Sequence, residues 1–244
     1  MLKLENVSKK FGDIIALENV SFDIEDGEFV FLIGPSGAGK TTILRLILRE
    51  ILPDSGELVF DEVKINKMKP KEVPAIRQKI GVVFQDYKII PESTVWENVE
   101  IALAVVDAPK TEWKARVENV LKLTGLEERK TLFPSQLSGG EIQRLSLARA
   151  LVVNPRIILA DEPTGNLDWE TAQNIVKLFD LINKEGKTVL MATHNKQIVK
   201  EMKKRVIEVQ KGKVVSDTPA SEDDEKKESK KRKIKVSLEE TPTV

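Results

Sequence analysis

The run Gly34-Pro35-Ser36-Gly37-Ala38-Gly39-Lys40-Thr41 constrains this chain more than any other segment, because it matches G-x-x-x-x-G-K-[ST] in full. Such a loop works only where a buried strand enters it and a helix leaves it. Phe29 to Ile33 is an apolar run of strand type directly before it, and a helix is predicted to begin near Lys40. Glycines let the main chain wrap close to phosphate oxygens, so that several N–H groups point inward and the positive helix end faces the anion. Lys40 adds a mobile charge for the β- and γ-phosphates of ATP. The Thr41 hydroxyl can ligate Mg2+, and Thr42 follows as a further nucleotide contact.

A second group of candidates lies at the end of Ile157-Ile158-Leu159-Ala160, where Asp161 and Glu162 follow a hydrophobic strand. Open α/β sheets hold ligands at that strand end. Asp161 suits binding of Mg2+ through water, and Glu162 suits polarising the water that attacks the γ-phosphate. His194, the single histidine, follows the apolar strand Val189 to Ala192, where a γ-phosphate contact can lie. Gln85, after Gly81 to Phe84, is the candidate for sensing both Mg2+ and the attacking water.

Leu137-Ser138-Gly139-Gly140-Glu141 precedes a helix carrying Ile142, Leu145 and Ala148, and Ser138 with Glu141 satisfies the S-x-x-E capping box. Two glycines at a helix N-terminus also leave bare N–H donors, a second surface for phosphate. One chain thus offers two anion sites for one nucleotide.

The rest of the chain is organised around these motifs. Strand-like runs at Leu2 to Val7, Val20 to Ile24 and Glu28 to Ile33, with an Asp26-Gly27 turn, and at Gly56 to Phe60, predict a β-rich N-terminal part. A T-x-x-E start at Thr94 and Glu97, and Trp113, Val117, Val120 and Leu121 at helical spacing, predict a helical insertion over about 87–150. Ile175, Leu178, Phe179 and Ile182 mark one face of a later helix. The expected class is α/β, with helices on the faces of a sheet. From 217 to 244 charge dominates, and that segment is expected to be a disordered tail following a domain of residues 1–216.

Composition narrows the chemistry further. There are no cysteines, so thiol catalysis, disulfides and cysteine-ligated zinc are excluded. Basic and acidic side chains number 39 each, which gives no argument for nucleic acid as the main ligand. No apolar run approaches the ~18 to 20 residues of a membrane span, and the start lacks a secretory signal, so a cytoplasmic location is expected.

With these motifs in this order, the chain resembles the ABC ATPase family over about residues 1–215. The resemblance implies a RecA-like core with an N-terminal antiparallel β subdomain and a helical subdomain. It makes Gly34 to Thr41 the Walker A loop, Asp161 the end of the Walker B strand with Glu162 after it, Gln85 the Q-loop residue, and His194 the switch histidine. Leu137 to Glu141 becomes the signature, and Gly165 to Asp168 the D-loop. It also implies a homodimer in the ATP-bound state, with ATP buried between one chain's Walker A loop and the other's Ser138, Gly139 and Gly140. Two features depart from the common pattern: Glu141 stands where many members have glutamine, and the adenine-stacking position falls on Phe11, which keeps an aromatic face. Ala160 to Asp168 is similar to the branch of FtsE, LolD and MacB ATPases, and Val83 to Pro91 with Met191 to His194 looks most like the FtsE type. That likeness implies an integral membrane partner of the FtsX kind, a peripheral place on the cytoplasmic face of the membrane, and a role in division and peptidoglycan hydrolase activation. Lipoprotein release or efflux is the alternative within the branch, and a soluble ATPase acting on DNA or the ribosome the alternative outside it.

Overall fold

The computed structural model describes residues 1–220, and residues 221–244 lie outside the described residues, so the expectation of a disordered tail falls mostly on those. In chain order the strands are β1 (Leu2–Phe11), β2 (Ile14–Ile24), β3 (Phe29–Ile33), β4 (Ser55–Phe60), β5 (Val63–Lys64), β6 (Ile80–Val83), β7 (Ile157–Asp161), β8 (Thr188–Thr193), β9 (Arg205–Gln210) and β10 (Lys213–Thr218). The helices are α1 (Lys40–Ile47), α2 (Val73–Arg77), α3 (Val95–Val105), α4 (Lys110–Leu123), α5 (Gly139–Leu151), α6 (Trp169–Lys184) and α7 (Lys196–Met202).

An antiparallel sheet is ordered β2-β1-β4-β5, and a six-stranded sheet β10-β9-β3-β8-β7-β6. Within the second, β3, β6, β7, β8 and β9 pair in parallel and β10 closes the edge antiparallel to β9. Its inner strands are apolar on both faces, as burial under helices on two sides requires. Val30 and Leu32 of β3, Ile157 and Leu159 of β7, and Leu190 and Ala192 of β8 pack with Ile43, Leu46 and Ile47 of α1. Their neighbours Phe29, Phe31, Ile158, Ala160, Val189 and Met191 point the other way, against Ile175, Phe179 and Ile182 of α6 and Ile198 of α7. A third cluster joins Val95, Val99 and Leu103 of α3, Val117 and Leu121 of α4, and Leu145 and Ala148 of α5. This is the α/β class that the sequence predicts, with antiparallel and helical parts flanking the main sheet.

Several elements run further than their sequence patterns suggest. β1 and β2 extend past the predicted runs to a tip at Phe11 and Ile14, through bulges at Asn6 and Asn19, both at φ 50°. Each bulge shifts the period-two alternation by a residue and so hides the continuation of the strand. At the other end of the described chain, β10 includes Asp217 and Thr218, beyond the boundary that composition sets at 216. Arg205 explains the extension, since its Nε and Nη2 donate to the two carboxylate oxygens of Asp217 at 2.8 and 2.7 Å across the hairpin.

Candidate active site

Parallel pairing brings the candidate residues together. Ile33 of β3 is in register with Thr193 of β8, Ala192 with Asp161 of β7, and Ala160 with Val83 of β6. The residues just past those ends, the Gly34 loop, Glu162, His194 and Gln85, therefore emerge at one edge of the sheet. A cavity of about 580 Å³ lies there, lined by Pro35 to Thr42, Gln85, Asp161, Glu162 and His194, with Ile14, Ile15 and Ala16 from the β1–β2 hairpin.

The Gly34 loop is packed closely against β9 and β2. A Cβ on Gly34 would stand 2.2 Å from the Val209 carbonyl oxygen of β9, and one on Gly39, at φ 111°, would stand 2.8 Å from that of Ala16. Any side chain at either position would drive the loop off its neighbours. Lys40, 7% exposed at the start of α1, donates from Nζ to the carbonyl oxygens of Gly34 at 2.8 Å and Pro35 at 3.3 Å. Its ammonium is thus folded back across the loop, 3.3 Å from Glu162 Oε1.

The two carboxylates occupy different surroundings. Thr41 Oγ1 donates to Asp161 Oδ1 at 3.3 Å. Burial pushes the Asp161 carboxyl above its ordinary value and Glu162 adds to that, while the Thr41 hydroxyl and Lys40 pull the other way. Glu162 sits at φ 47°, a left-handed conformation that costs a non-glycine residue on the order of 1 kcal/mol. Its N–H donates to the Ala192 oxygen at 2.9 Å, which anchors the kink to β8. The other side-chain oxygen, Oε2, accepts from the His194 N–H at 3.2 Å and lies 3.0 Å from His194 Nδ1. Glu162 therefore bridges Lys40 on one side and His194 on the other.

These oxygen and amide groups suit a hard divalent cation shared with phosphate oxygens. Thr41 and Asp161 already touch, and Gln85 lines the same cavity. Among the described residues no group of three or more His, Cys, Asp or Glu side chains could hold a metal by itself. One carboxylate plus the ligand's own phosphates is the usual arrangement for Mg2+, so the donor set fits that ion.

Other expected contacts lie elsewhere. Phe11 is 42% exposed at the hairpin tip, with Lys9 Nζ 5.5 Å from its ring centroid, and does not line the cavity. Ile14, its cross-strand partner, does, together with Ile15; they are 70% and 48% exposed, and this apolar shelf was missed from sequence although the adjacent isoleucines are visible there. Ser138, Gly139, Gly140 and Asp168 are likewise outside the cavity. Ser138 caps α5, accepting from the Glu141 N–H at 3.3 Å, and Asp168 caps α6, accepting from the Thr171 N–H at 2.9 Å. Gly140 is where the two helix starts touch, since a Cβ there would stand 2.5 Å from Thr171 Cγ2. The loop after Gln85 is joined to α5 through Tyr87, whose carbonyl oxygen accepts from Ser146 Oγ at 3.2 Å and Arg149 Nη2 at 3.0 Å.

Known proteins resemble this chain over most of its length. The ABC transporter family model matches residues 17–165. The cell division ATP-binding protein FtsE of Bacillus subtilis is 47% identical over 223 residues, covering 91% of this chain and 98% of that one. FtsE of Escherichia coli is 42% identical over 213 residues, covering 87% and 96%. The dimeric structure of MJ0796, a bacterial ABC transporter cassette, superposes with a TM-score of 0.81 at 41% identity, over 90% of this chain and 99% of that one. A dimeric post-hydrolysis state of MJ0796 bound to ADP and Pi gives 0.80 at 40% identity, over the same shares of the two chains.

Proposed function

Because the chain belongs to the ABC transporter family, and within it to the FtsE cell-division ATP-binding proteins, we propose that it drives a membrane complex of cell division by ATP-dependent pairing of two copies. It is an ATPase with the ABC fold. The observation that carries the proposal is the split between its two anion-binding elements: the Gly34 loop, Asp161, Glu162 and His194 share one cavity, and the Ser138-Gly139-Gly140 helix start stands outside it. A second copy packed head to tail supplies that helix start across the interface, completing the phosphate site.

In the proposed site the Gly34 loop and Lys40 hold the β- and γ-phosphates, with Thr42 beside them. Thr41, Asp161 and Gln85 would hold Mg2+, which would neutralise charge on the phosphates. Glu162 orients and polarises the attacking water, and His194, fixed to Glu162 through its own N–H, faces the γ-phosphate. Phosphate entering the loop competes with the carbonyl oxygens and with Glu162 for Lys40, which frees the Glu162 carboxylate for water. Ile14 and Ile15 give the base an apolar shelf, and Phe11 stands beside it at the hairpin tip.

Among the described residues no helix is long and apolar enough to cross a membrane. FtsE relatives at 42–47% identity favour an FtsX-like integral protein, with this chain peripheral to the cytoplasmic face. The segment after Gln85 receives the partner's cytoplasmic helix. Half-buried Ile89 and Ile90 lie there, the Ile90 N–H donating to Asn98 Oδ1 of α3 at 2.9 Å, and α3 exposes Ile101 and Val105. The test is to hold Glu162→Gln protein in ATP, recover it from gently solubilised membranes of its own cell, and identify what accompanies it. An FtsX-like protein with few spans and one large external loop is expected. A lipoprotein-release or efflux permease would replace the division reading, and recovery without any membrane protein would return a soluble ATPase acting on DNA or the ribosome.

A further inference from the structure

We infer that Asn166 is a positioning residue that decides which end of the Gln85 carboxamide faces the nucleotide cavity; this rests on the proposed role of Gln85 toward Mg2+. A carboxamide has an acceptor oxygen and a donor nitrogen of nearly equal size, and only the oxygen can face a cation. Something must impose that orientation. Asn166 Nδ2 donates to the main-chain oxygen of Gln85 at 3.2 Å. A main-chain carbonyl can only accept, so this contact fixes Asn166 with its nitrogen on the Gln85 backbone and its oxygen turned away from it. Asn166 Oδ1 then lies 3.5 Å from Gln85 Nε2, a long but matched donor–acceptor pair. The reversed Gln85 amide would set two oxygens against each other. Nε2 is therefore held at Asn166, and Oε1 is left for the cavity that Gln85 lines with Thr41 and Asp161.

Gly165 completes the seat. A Cβ there would stand 3.0 Å from Gln85 Nε2 and 3.3 Å from Cδ, tighter than ordinary contact, so glycine leaves the carboxamide its place. The Gly165 N–H in turn donates to the Glu162 carbonyl oxygen at 3.0 Å. The seat for Gln85 is thus built on the turn that carries the proposed water-polarising residue.

The test is calorimetric binding of the imido analogue of ATP to the full chain, with Mg2+ titrated from absent to saturating. Wild type, Asn166→Leu, Gln85→Ala and the double variant are compared. Asn166 is exposed, so leucine removes both polar contacts while the fold is retained, and melting temperatures check this. Without Mg2+ all four should bind within about twofold of one another. The Mg2+ concentration for half of the affinity gain should rise about fivefold in each single variant, the effect of one hydrogen bond. The double variant should match Gln85→Ala, because a residue acting through Gln85 has nothing left to act on. Wild-type behaviour of Asn166→Leu, additivity in the double variant, or equal weakening with and without Mg2+ would each overturn the inference. A normal Mg2+ response in Gln85→Ala would instead remove the reading of Gln85 on which it stands.

Discussion

Glu141 stands where many family members carry glutamine, and its surroundings determine what replacing it should cost. Oε2 accepts from the Ser138 N–H and from Ser138 Oγ, both at 2.8 Å, and Oε1 accepts from Arg129 Nε at 3.0 Å. Those contacts, the Ser138 N–H foremost, hold the carboxyl down to about 2 from an ordinary 4.5. Glu141→Gln keeps an oxygen for the Ser138 N–H and loses the charge facing Arg129. The arginine is half exposed, so the pair is screened and the loss should be about 0.5 kcal/mol. Glu141→Ala also removes the reciprocal half of the cap, about 1 kcal/mol more. A carboxyl with a lowered folded-state value stabilises the fold above 4.5, and that contribution fades as pH falls toward about 2. The gap between wild type and Glu141→Gln should therefore be full at neutral pH and shrink below about pH 4.5. Urea midpoints for the three proteins at a series of pH values measure this, with ATP hydrolysis expected to be intact in Glu141→Gln. A glutamine variant as unstable as the alanine one, or a gap indifferent to acid, would refute the argument.

Lys40→Ala removes the single cation folded over the Gly34 loop, and nucleotide affinity measured by calorimetry should fall roughly 10- to 100-fold, the value of a charge-assisted contact. Glu162→Gln should retain ATP binding while hydrolysis drops at least ~100-fold and the dimer accumulates on size exclusion; an active Glu162→Gln enzyme would remove its assigned role. Asp161→Asn should lower metal-dependent turnover at least ~10-fold and raise the melting temperature of the nucleotide-free protein. The sign follows from its raised carboxyl: the folded state binds that proton more tightly than the unfolded chain, so stability is lost as pH rises through the raised value. The gain in Asp161→Asn should accordingly be largest at neutral pH and vanish in acid, and destabilisation at neutral pH would contradict it.

What could be read from sequence was what short-range chemistry dictates. The Gly34 loop, the Thr94 and Ser138 caps and the apolar strands before Asp161 and His194 each carry their cause within a few residues. The strand tips at Phe11 and Ile14 did not, because the Asn6 and Asn19 bulges break the alternation that identifies a strand. The β9–β10 hairpin was equally silent; its edge strand, Lys213-Val214-Val215-Ser216-Asp217-Thr218, is almost wholly exposed and shows no clean alternation, and its place is set by the Arg205 fork and by the Gly212 N–H, which donates to the Ala38 oxygen at 3.0 Å. Asn166 was read only as part of a motif. Its grip on Gln85 spans 81 residues of sequence, and no local pattern encodes such a contact.

Three locally unfavourable features meet where β3, β7 and β8 end. Glu162 is left-handed, Asp161 is held in surroundings that oppose its charge, and Gly34 leaves no room for a side chain. They persist because the strands entering the site are immobilised: Val30, Phe31, Leu32, Ile158, Leu159, Val189 and Leu190 are all 0% exposed, packed by helices on two sides. The Ser138 helix start opens α5, whose Leu145 and Ala148 pack with α3 and α4 while its Leu147 and Leu151 pack in the cluster of the main sheet, and whose Ser146 and Arg149 donate to the carbonyl oxygen of Tyr87, two residues past Gln85. On the proposed reading, the strand edge would hold phosphate and the Ser138 helix start would meet it from a second copy, so that the two could approach and part between copies without disturbing either core. In that reading, nucleotide binding would be converted into displacement of whatever rests on the loop after Gln85.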